Sequence, residues 1–278
     1  MSVEELIQKA LEEDIGTGDH TSQAVVPDGA VGGALMIAKE PGILSGVEIA
    51  KKVFEKVDPD LKVTIFRKDG EAINRGENIM QVQGSSLSVL SAERTALNFI
   101  QRMSGISTFT NKMVKKVEGL NTILLDTRKT TPGNRMVEKM AVKFGGGENH
   151  RFGLFDMIMI KDNHIDFAGG VKPAIEKVKV YLEKHHLDLK IEIEARDFKE
   201  LQVILETGGV DRIMLDNFTP ADLKKGLDLI DCRYETEASG GINMENIRAY
   251  AETGVDYISV GALTHQIKSL DISLIAIS

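Results

Sequence analysis

The chain has one cysteine, Cys232, in 278 residues, so an intrachain disulfide is impossible and a disulfide-stapled secreted scaffold is excluded. Basic residues are in the minority: 34 Lys+Arg stand against 42 Asp+Glu, a formal net charge of −8. A nucleic-acid binder draws much of its affinity from neutralising phosphates, so this balance argues against one. No apolar run approaches the roughly 20 residues a membrane span needs. The opening MSVEELIQKALEED is charged and lacks the apolar core of a secretory signal. These absences lead us to expect a cytoplasmic protein with no membrane and no nucleic-acid partner. No GxGxxG follows an early strand-like run, which weakens a dinucleotide-binding reading. What is present, 42% hydrophobic and 27% charged residues, describes a globular chain of one large or two ordinary domains.

The first hundred residues do not alternate regularly. Residues 3–13 carry Val3, Leu6, Ile7, Ala10 and Leu11 on one helical face. A turn-rich DIGTGDHTS follows, then β-like runs at 31–38, 61–66 and 78–82, with a helical stretch at 46–57 and a long helical pattern over 86–117. This mixture predicts an α+β domain. From residue 122 a rhythm begins. Strand-like runs stand at 122–128, 157–164, 190–196, 212–217, 233–239 and 257–263, mostly separated by helical patterns. The last four start at 190, 212, 233 and 257, intervals of 22, 21 and 24, which is a βα repeat and implies parallel strands. Polar residues close nearly every strand, as at the active-site face of a (β/α) barrel. Six readable strands fall one or two short of a full ring.

Those strand ends hold the candidate chemistry. Asp126, Arg128 and Lys129 end the first; Lys161, Asp162, Asn163 and His164 the second, preceded by His150 and Arg151; Glu192 and Glu194 the third; Asp216 and Asn217 the fourth; Ser239, Gly240 and Gly241 the fifth; Gly261 and Ala262 the sixth. Glu192 and Glu194 share one face by the strand's period of two, and facing inward they would repel unless a cation lay between them. The basic set suits carboxylates, the acidic set a divalent metal or a developing positive charge. The late glycine turns suit a phosphate cradled by backbone N–H groups. Gly145-Gly146-Gly147 suits a loop that folds over a ligand.

The motifs ERTALNFIQRMSGIST (93–108), DTRKTTPGNRMVEKMAV (126–142), GGGENHRFGLFDMIMIKDNHI (145–165), EIEA (192–195), LDNF (215–218), EASGGI (237–242) and VGALTH (260–265) resemble the quinolinate phosphoribosyltransferases. The resemblance runs from EDIGTGDHTS (13–22) onward and so covers essentially the whole chain. It implies an α/β fold: an incomplete, seven-stranded α/β barrel at 109–265 and an N-terminal α+β sandwich domain at 1–108, with 266–278 packing back on the latter. It implies transfer of phosphoribosyl from phosphoribosyl pyrophosphate (PRPP) to quinolinate with decarboxylation, and Mg²⁺ as cofactor. By resemblance, Arg128, Arg151, His150 and Lys161 bind the quinolinate carboxylates, and Lys129 and Lys161 meet substrate charge. Glu194 and Asp216 sit by the ribose and Mg²⁺, and Ser239, Gly240, Gly241 and Gly261 cradle the 5-phosphate. Arg94 resembles an arginine donated to the neighbouring site of a homodimer, with assembly of dimers into a hexamer left open. Two rivals stand beside this reading: a paralogue associated with molybdenum transport, acting on another acceptor, and a non-catalytic phosphate-metabolite-binding barrel.

Overall fold

Antiparallel pairing organises the early strands and parallel pairing the later ones, in a computed structural model that describes residues 2–277. In chain order the elements are α1 (Val3–Ile15), α2 (His20–Val25), β1 (Val31–Ala38), β2 (Gly42–Ile43), α3 (Val47–Val57), β3 (Lys62–Ile65), β4 (Ala72–Ile73), β5 (Asn78–Ser85) and α4 (Ser86–Lys116). Then come β6 (Ile123–Leu125), α5 (Arg135–Phe144), β7 (Ile158–Ile160), α6 (Asp162–Ala168), α7 (Val171–His185), β8 (Ile191–Ala195) and α8 (Phe198–Thr207). The chain ends with β9 (Arg212–Asp216), α9 (Pro220–Ile230), β10 (Glu235–Ser239), α10 (Ile247–Ala251), β11 (Tyr257–Ser259), α11 (Ala262–His265) and β12 (Ile272–Ile277). It divides into two units: Met1–Lys112 with Lys129–Gly147 and Leu263–Ser278, and Met113–Arg128 with Glu148–Ala262.

In the first unit an antiparallel sheet runs in the order β12-β1-β5-β3. Alternation along β1 buries Ala34, Met36 and Ala38, the period a half-covered strand requires. β12 pairs with β1 from Gly33↔Ile277 to Ala38↔Ile272, so the C-terminal segment completes this sheet. Helix α3 buries Val47, Ile49, Ala50, Val53 and Phe54 as one amphipathic face. The residues around His20, which read as a turn, form α2 because the Asp19 carboxylate accepts the Ser22 N–H at 3.0 Å and caps it.

The triple-glycine run also differs from its reading as a mobile cover. Gly145 is buried, and a Cβ there would stand 2.6 Å from both the Ser107 carbonyl oxygen and Thr110 Cβ. Glycine is required at this point for the end of α5 to approach α4 closely. Ser107 Oγ donates to the Ala141 carbonyl at 2.7 Å, and Arg102 pairs with the fully buried Glu138 at 2.9 Å in the same contact.

The second unit is a six-stranded parallel sheet in the order β6-β11-β10-β9-β8-β7, alternating with helices. Helices α8 and α9 start where the sequence caps them. Asp197 accepts the Lys199 and Glu200 N–H groups, and Thr219 accepts that of Asp222 just before Pro220. The parallel sheet has the six strands read from the sequence, and the expected seventh is not formed as a strand among the described residues. Glu148 alone forms a parallel bridge to Leu125 on β6, its N–H donating to the Leu124 carbonyl at 2.8 Å. A single bridged residue carries no hydrophobic periodicity, so no sequence pattern could mark it. The run at 157–164 also divides: β7 stops at Ile160, and Asp162–Ala168 is helix α6 with Lys161 at its N-cap.

Candidate active site

Strand register decides which side chains meet. Glu192 lies opposite Arg212, which lies opposite Glu235; Glu194 lies opposite Met214, Met214 opposite Glu237, and Glu237 opposite Tyr257. Asp216 lies opposite Ser239. With a period of two, all of these share one face of the sheet, and Ile191, Ile193, Ile213, Leu215, Ala238 and Ile258 share the other. Layers of aliphatic side chains usually fill such an interior. Here the lower layers carry charge.

That charge is paired. His150 Nε2 lies 2.9 Å from Glu192 and 3.4 Å from Glu237, and Glu237 is also 3.0 Å from Arg212 Nη1. Arg212 continues to Glu235 at 3.0 Å and stacks over the Tyr257 ring at 3.9 Å. Glu192 and Glu237 are fully buried. Burial and then repulsion from Glu237 raise the Glu192 pKa above the ordinary carboxylate range. Burial also acts to raise Glu237, but His150 and Arg212 outweigh it and hold that carboxyl low. Burial pulls the His150 imidazole down, and hydrogen bonds and charge from the two carboxylates more than reverse it, to about 9. The Arg151 N–H meanwhile donates to His150 Nδ1 at 2.7 Å, which needs a lone pair that an imidazolium lacks. The two observations differ on the net charge of the ring and agree that Nε2 carries a proton. His150, Glu192 and Glu237 place donor atoms within 4.8 Å of one another, spacing that a metal ion could use. Arg212 faces Glu237 and the Nε2–H faces both carboxylates, so the cluster already holds donors of its own.

Above this network the basic residues gather. Burial lowers the Arg151 pKa, and the Arg128 charge lowers it further, so the two guanidiniums are near enough to repel. Two cations held together in this way fit a ligand carrying two carboxylates. Arg151 is fixed by a hydrogen bond from Nη1 to the Met157 carbonyl at 3.2 Å and by its N–H on His150. His150 is in turn held by its N–H donating to Asp126 at 2.9 Å. Lys161 Nζ donates to Glu194 Oε1 and His150 Nε2–H faces Glu192, so each of these two carboxylates has its own donor.

Asp216, half-buried at the end of β9, accepts a hydrogen bond from Asn217 Nδ2 at 2.7 Å. Gly240 and Gly241 have φ of +93° and +62°, left-handed values that glycine takes without strain. A Cβ on Gly240 would stand 2.1 Å from Asn217 Oδ1. Ser239 and Gly261, each half-buried, end β10 and follow β11 on this same side. Glu194 and Asp216 offer the hard oxygens a magnesium ion takes, and the Asp216 oxygen that Asn217 does not hold faces no cation among the described residues, so the donor set fits.

Ten of the twelve residues singled out from the sequence thus stand in this unit: Arg128, His150, Arg151, Lys161, Glu194, Asp216, Ser239, Gly240, Gly241 and Gly261. Lys129 is the first residue of the other unit's middle segment, its carbonyl accepting from Thr264 Oγ1 at 2.8 Å, and Arg94 is exposed on α4 in that unit. Sequence reading missed Glu237 as a partner of His150, and Arg212 as a partner of Glu237. The signal available was the charged residues Arg212 and Asp216 on one face of β9, and Glu235 and Glu237 on one face of β10, beside a strand already known to carry Glu192.

The ends of a parallel βα sheet that gather two arginines, two carboxylates and a glycine turn have the make-up of a site for anionic, phosphorylated substrates. Residues 106–275 match the family model for the C-terminal domain of quinolinate phosphoribosyl transferase, and residues 19–104 that for its N-terminal domain. The chain belongs to the quinolinate phosphoribosyltransferase family. It is 45% identical to the mitochondrial quinolinate phosphoribosyltransferase (decarboxylating) 2 of Nicotiana glauca, over 98% of this chain and 81% of that one. It is 42% identical to the probable nicotinate-nucleotide pyrophosphorylase (carboxylating) of Bacillus subtilis, over 99% and 93%. The solved nicotinate-nucleotide pyrophosphorylase of Francisella tularensis superposes with a TM-score of 0.93 at 40% identity, covering 99% of this chain and 96% of that one.

Proposed function

We propose that this chain joins quinolinate to PRPP, forming nicotinate mononucleotide with release of pyrophosphate and carbon dioxide, in de novo NAD synthesis. The observation that carries the reading is the repelling pair Arg128 and Arg151 beside the Lys161–Glu194 ion pair, in a chain whose relatives bear that activity's name. The two arginines, with His150 holding Arg151 in place, take the quinolinate carboxylates. Ser239, Gly240, Gly241 and Gly261 take the 5-phosphate through backbone N–H groups, and Lys129 meets substrate charge. The ring nitrogen forms a bond to C1 of the ribose as the C1–O bond breaks, and that electron pair leaves with pyrophosphate. Glu194 and Asp216 stabilise the positive charge that develops on the ribose. Lys161 covers Glu194 in the free site; an arriving carboxylate draws the ammonium towards itself and leaves Glu194 to face the ribose. Once the ring nitrogen is a pyridinium, the bond to the adjacent carboxylate breaks. Carbon dioxide leaves, the electron pair stays on the ring carbon, and a proton from water or Lys161 replaces it. Bound Mg²⁺, held by Glu194 and Asp216 directly or through water, would neutralise leaving-group charge.

The purified protein with PRPP, Mg²⁺ and quinolinate labelled in the carboxylate next to the ring nitrogen is expected to release labelled carbon dioxide; PRPP binding without that release would overturn the reading. We further propose a homodimer in which Arg94 enters the partner's site. Leu154, Phe155 and Phe167, 70%, 72% and 91% exposed, are apolar side chains of the second unit that another copy would cover. Arg94→Ala and Arg128→Ala are each expected to be inactive, and a mixture to recover measurable activity after subunit exchange; no recovery after verified exchange would exclude a shared site. A cytoplasmic location fits a chain with one cysteine and no described helix long and apolar enough to cross a membrane.

A further inference from the structure

Asn217 follows Asp216 and has so far been given no task, yet it occupies an uncommon conformation. Its φ is 58°, in the left-handed region, where a side chain normally carries a cost that glycine does not. Two hydrogen bonds and one close approach surround it. Its Nδ2 donates to Asp216 Oδ2 at 2.7 Å, and its backbone N–H donates to the Ser239 carbonyl at 2.9 Å. Its Oδ1 lies over Gly240, where a Cβ would come within 2.1 Å. One residue therefore touches the end of β9, the end of β10 and the glycine turn. We propose that Asn217 is a positioning residue that locks the Asp216 carboxylate to the Ser239–Gly241 turn, so that the ribose and 5-phosphate contacts to PRPP are made in one fixed register. This rests on the assignment of Asp216 and that turn to the phosphoribosyl half of the site.

The choice of residue follows from the geometry. Glycine would fit the backbone without cost but has no amide to hold Asp216. Aspartate has the right shape but would set a second negative charge against the first. Asparagine tolerates left-handed φ better than other side chains and brings a neutral donor. With Oδ2 held by the amide, the other oxygen of Asp216 keeps one orientation for a ribose hydroxyl or a cation.

The test compares Asn217→Gly, Asn217→Asp and Asp216→Asn in the full chain. The readouts are calorimetric PRPP binding in the presence of Mg²⁺, both Michaelis constants, and thermal midpoints. Asn217→Gly is expected to melt close to the parent, because relief of the left-handed backbone offsets the greater freedom of its unfolded chain. It should bind PRPP about tenfold more weakly, the worth of one hydrogen bond to a charged group, while KM for quinolinate stays within about twofold. Asn217→Asp should bind PRPP more weakly still. A residue that served only stability would lower the midpoint and shift both substrates together, and that pattern would overturn the proposal. So would weakened PRPP binding in Asp216→Asn with parental binding in Asn217→Gly. Parental PRPP binding in Asp216→Asn would instead overturn the underlying assignment, and the proposal with it.

Discussion

Glu194→Ala is expected to lower kcat by about a thousandfold, with KM for quinolinate changed by less than about threefold. Glu194 is 7% exposed, at the end of β8, and its charge is compensated by Lys161, which is 42% exposed at the side chain. Removing the carboxylate leaves Lys161 free to reach solvent, so the fold should tolerate the change. In the proposed role, what is lost is a negative charge set beside the carbon that becomes positive as pyrophosphate departs. Preorganised groups of this kind are worth about 3–4 kcal/mol, or a factor of 10²–10³ in rate. The split between kcat and KM, measured by steady-state assay of carbon dioxide release, is the informative part. An unchanged kcat would sink the role assigned to Glu194. A rise in quinolinate KM alone would move Glu194 to the substrate pocket.

Glu237→Ala should destabilise the protein by about 3–5 kcal/mol, the cost of removing one partner from a buried ion pair. Glu237 has no exposed surface, and it stands between His150 at 3.4 Å and Arg212 at 3.0 Å. Its loss leaves the Arg212 guanidinium, itself 8% exposed, with Glu235 as its remaining close carboxylate. Pairing Glu237→Leu with Arg212→Met removes both charges, so the double variant should be less destabilised than the sum of the two singles. Urea unfolding followed by circular dichroism measures all of these. A loss below about 1 kcal/mol in Glu237→Ala would mean that water reaches the interior and screens the pair. The double variant separates that outcome from simple cavity formation, which would be additive.

Much of the second unit was legible. The intervals of 22, 21 and 24 between strand starts, and the polar residue at each strand end, define a parallel βα unit and the edge where chemistry sits. The glycine pair after β10 marked a turn whose φ values do need glycine. Less was legible where a feature has no period. The Leu125–Glu148 bridge is one residue long. Helix α6 begins inside an apolar-to-polar run that reads as the continuation of a strand, and only the change of hydrogen bonding at Lys161 separates them. The glycine run at 145–147 looked mobile because glycine permits motion. Gly145 is there because two helices approach too closely for a Cβ.

By itself the sequence determined which residue types stand at the strand ends and that they alternate between two faces, because side-chain period and strand spacing are local properties of the chain. It also determined the family, through motifs that lie in order along it. Tertiary structure decided the partners. Lys161 meets Glu194 across 33 residues and Arg212 meets Glu237 across 25, and in each case the side-by-side packing of neighbouring parallel elements brought them together. The net charge of −8 gave no sign of this, since a sum over the chain holds no distances. Whether a buried carboxylate is tolerable, and whether two arginines repel strongly enough to await an anion, depends on separations of a few ångströms in a low-dielectric interior. Those separations exist only once the sheet has formed.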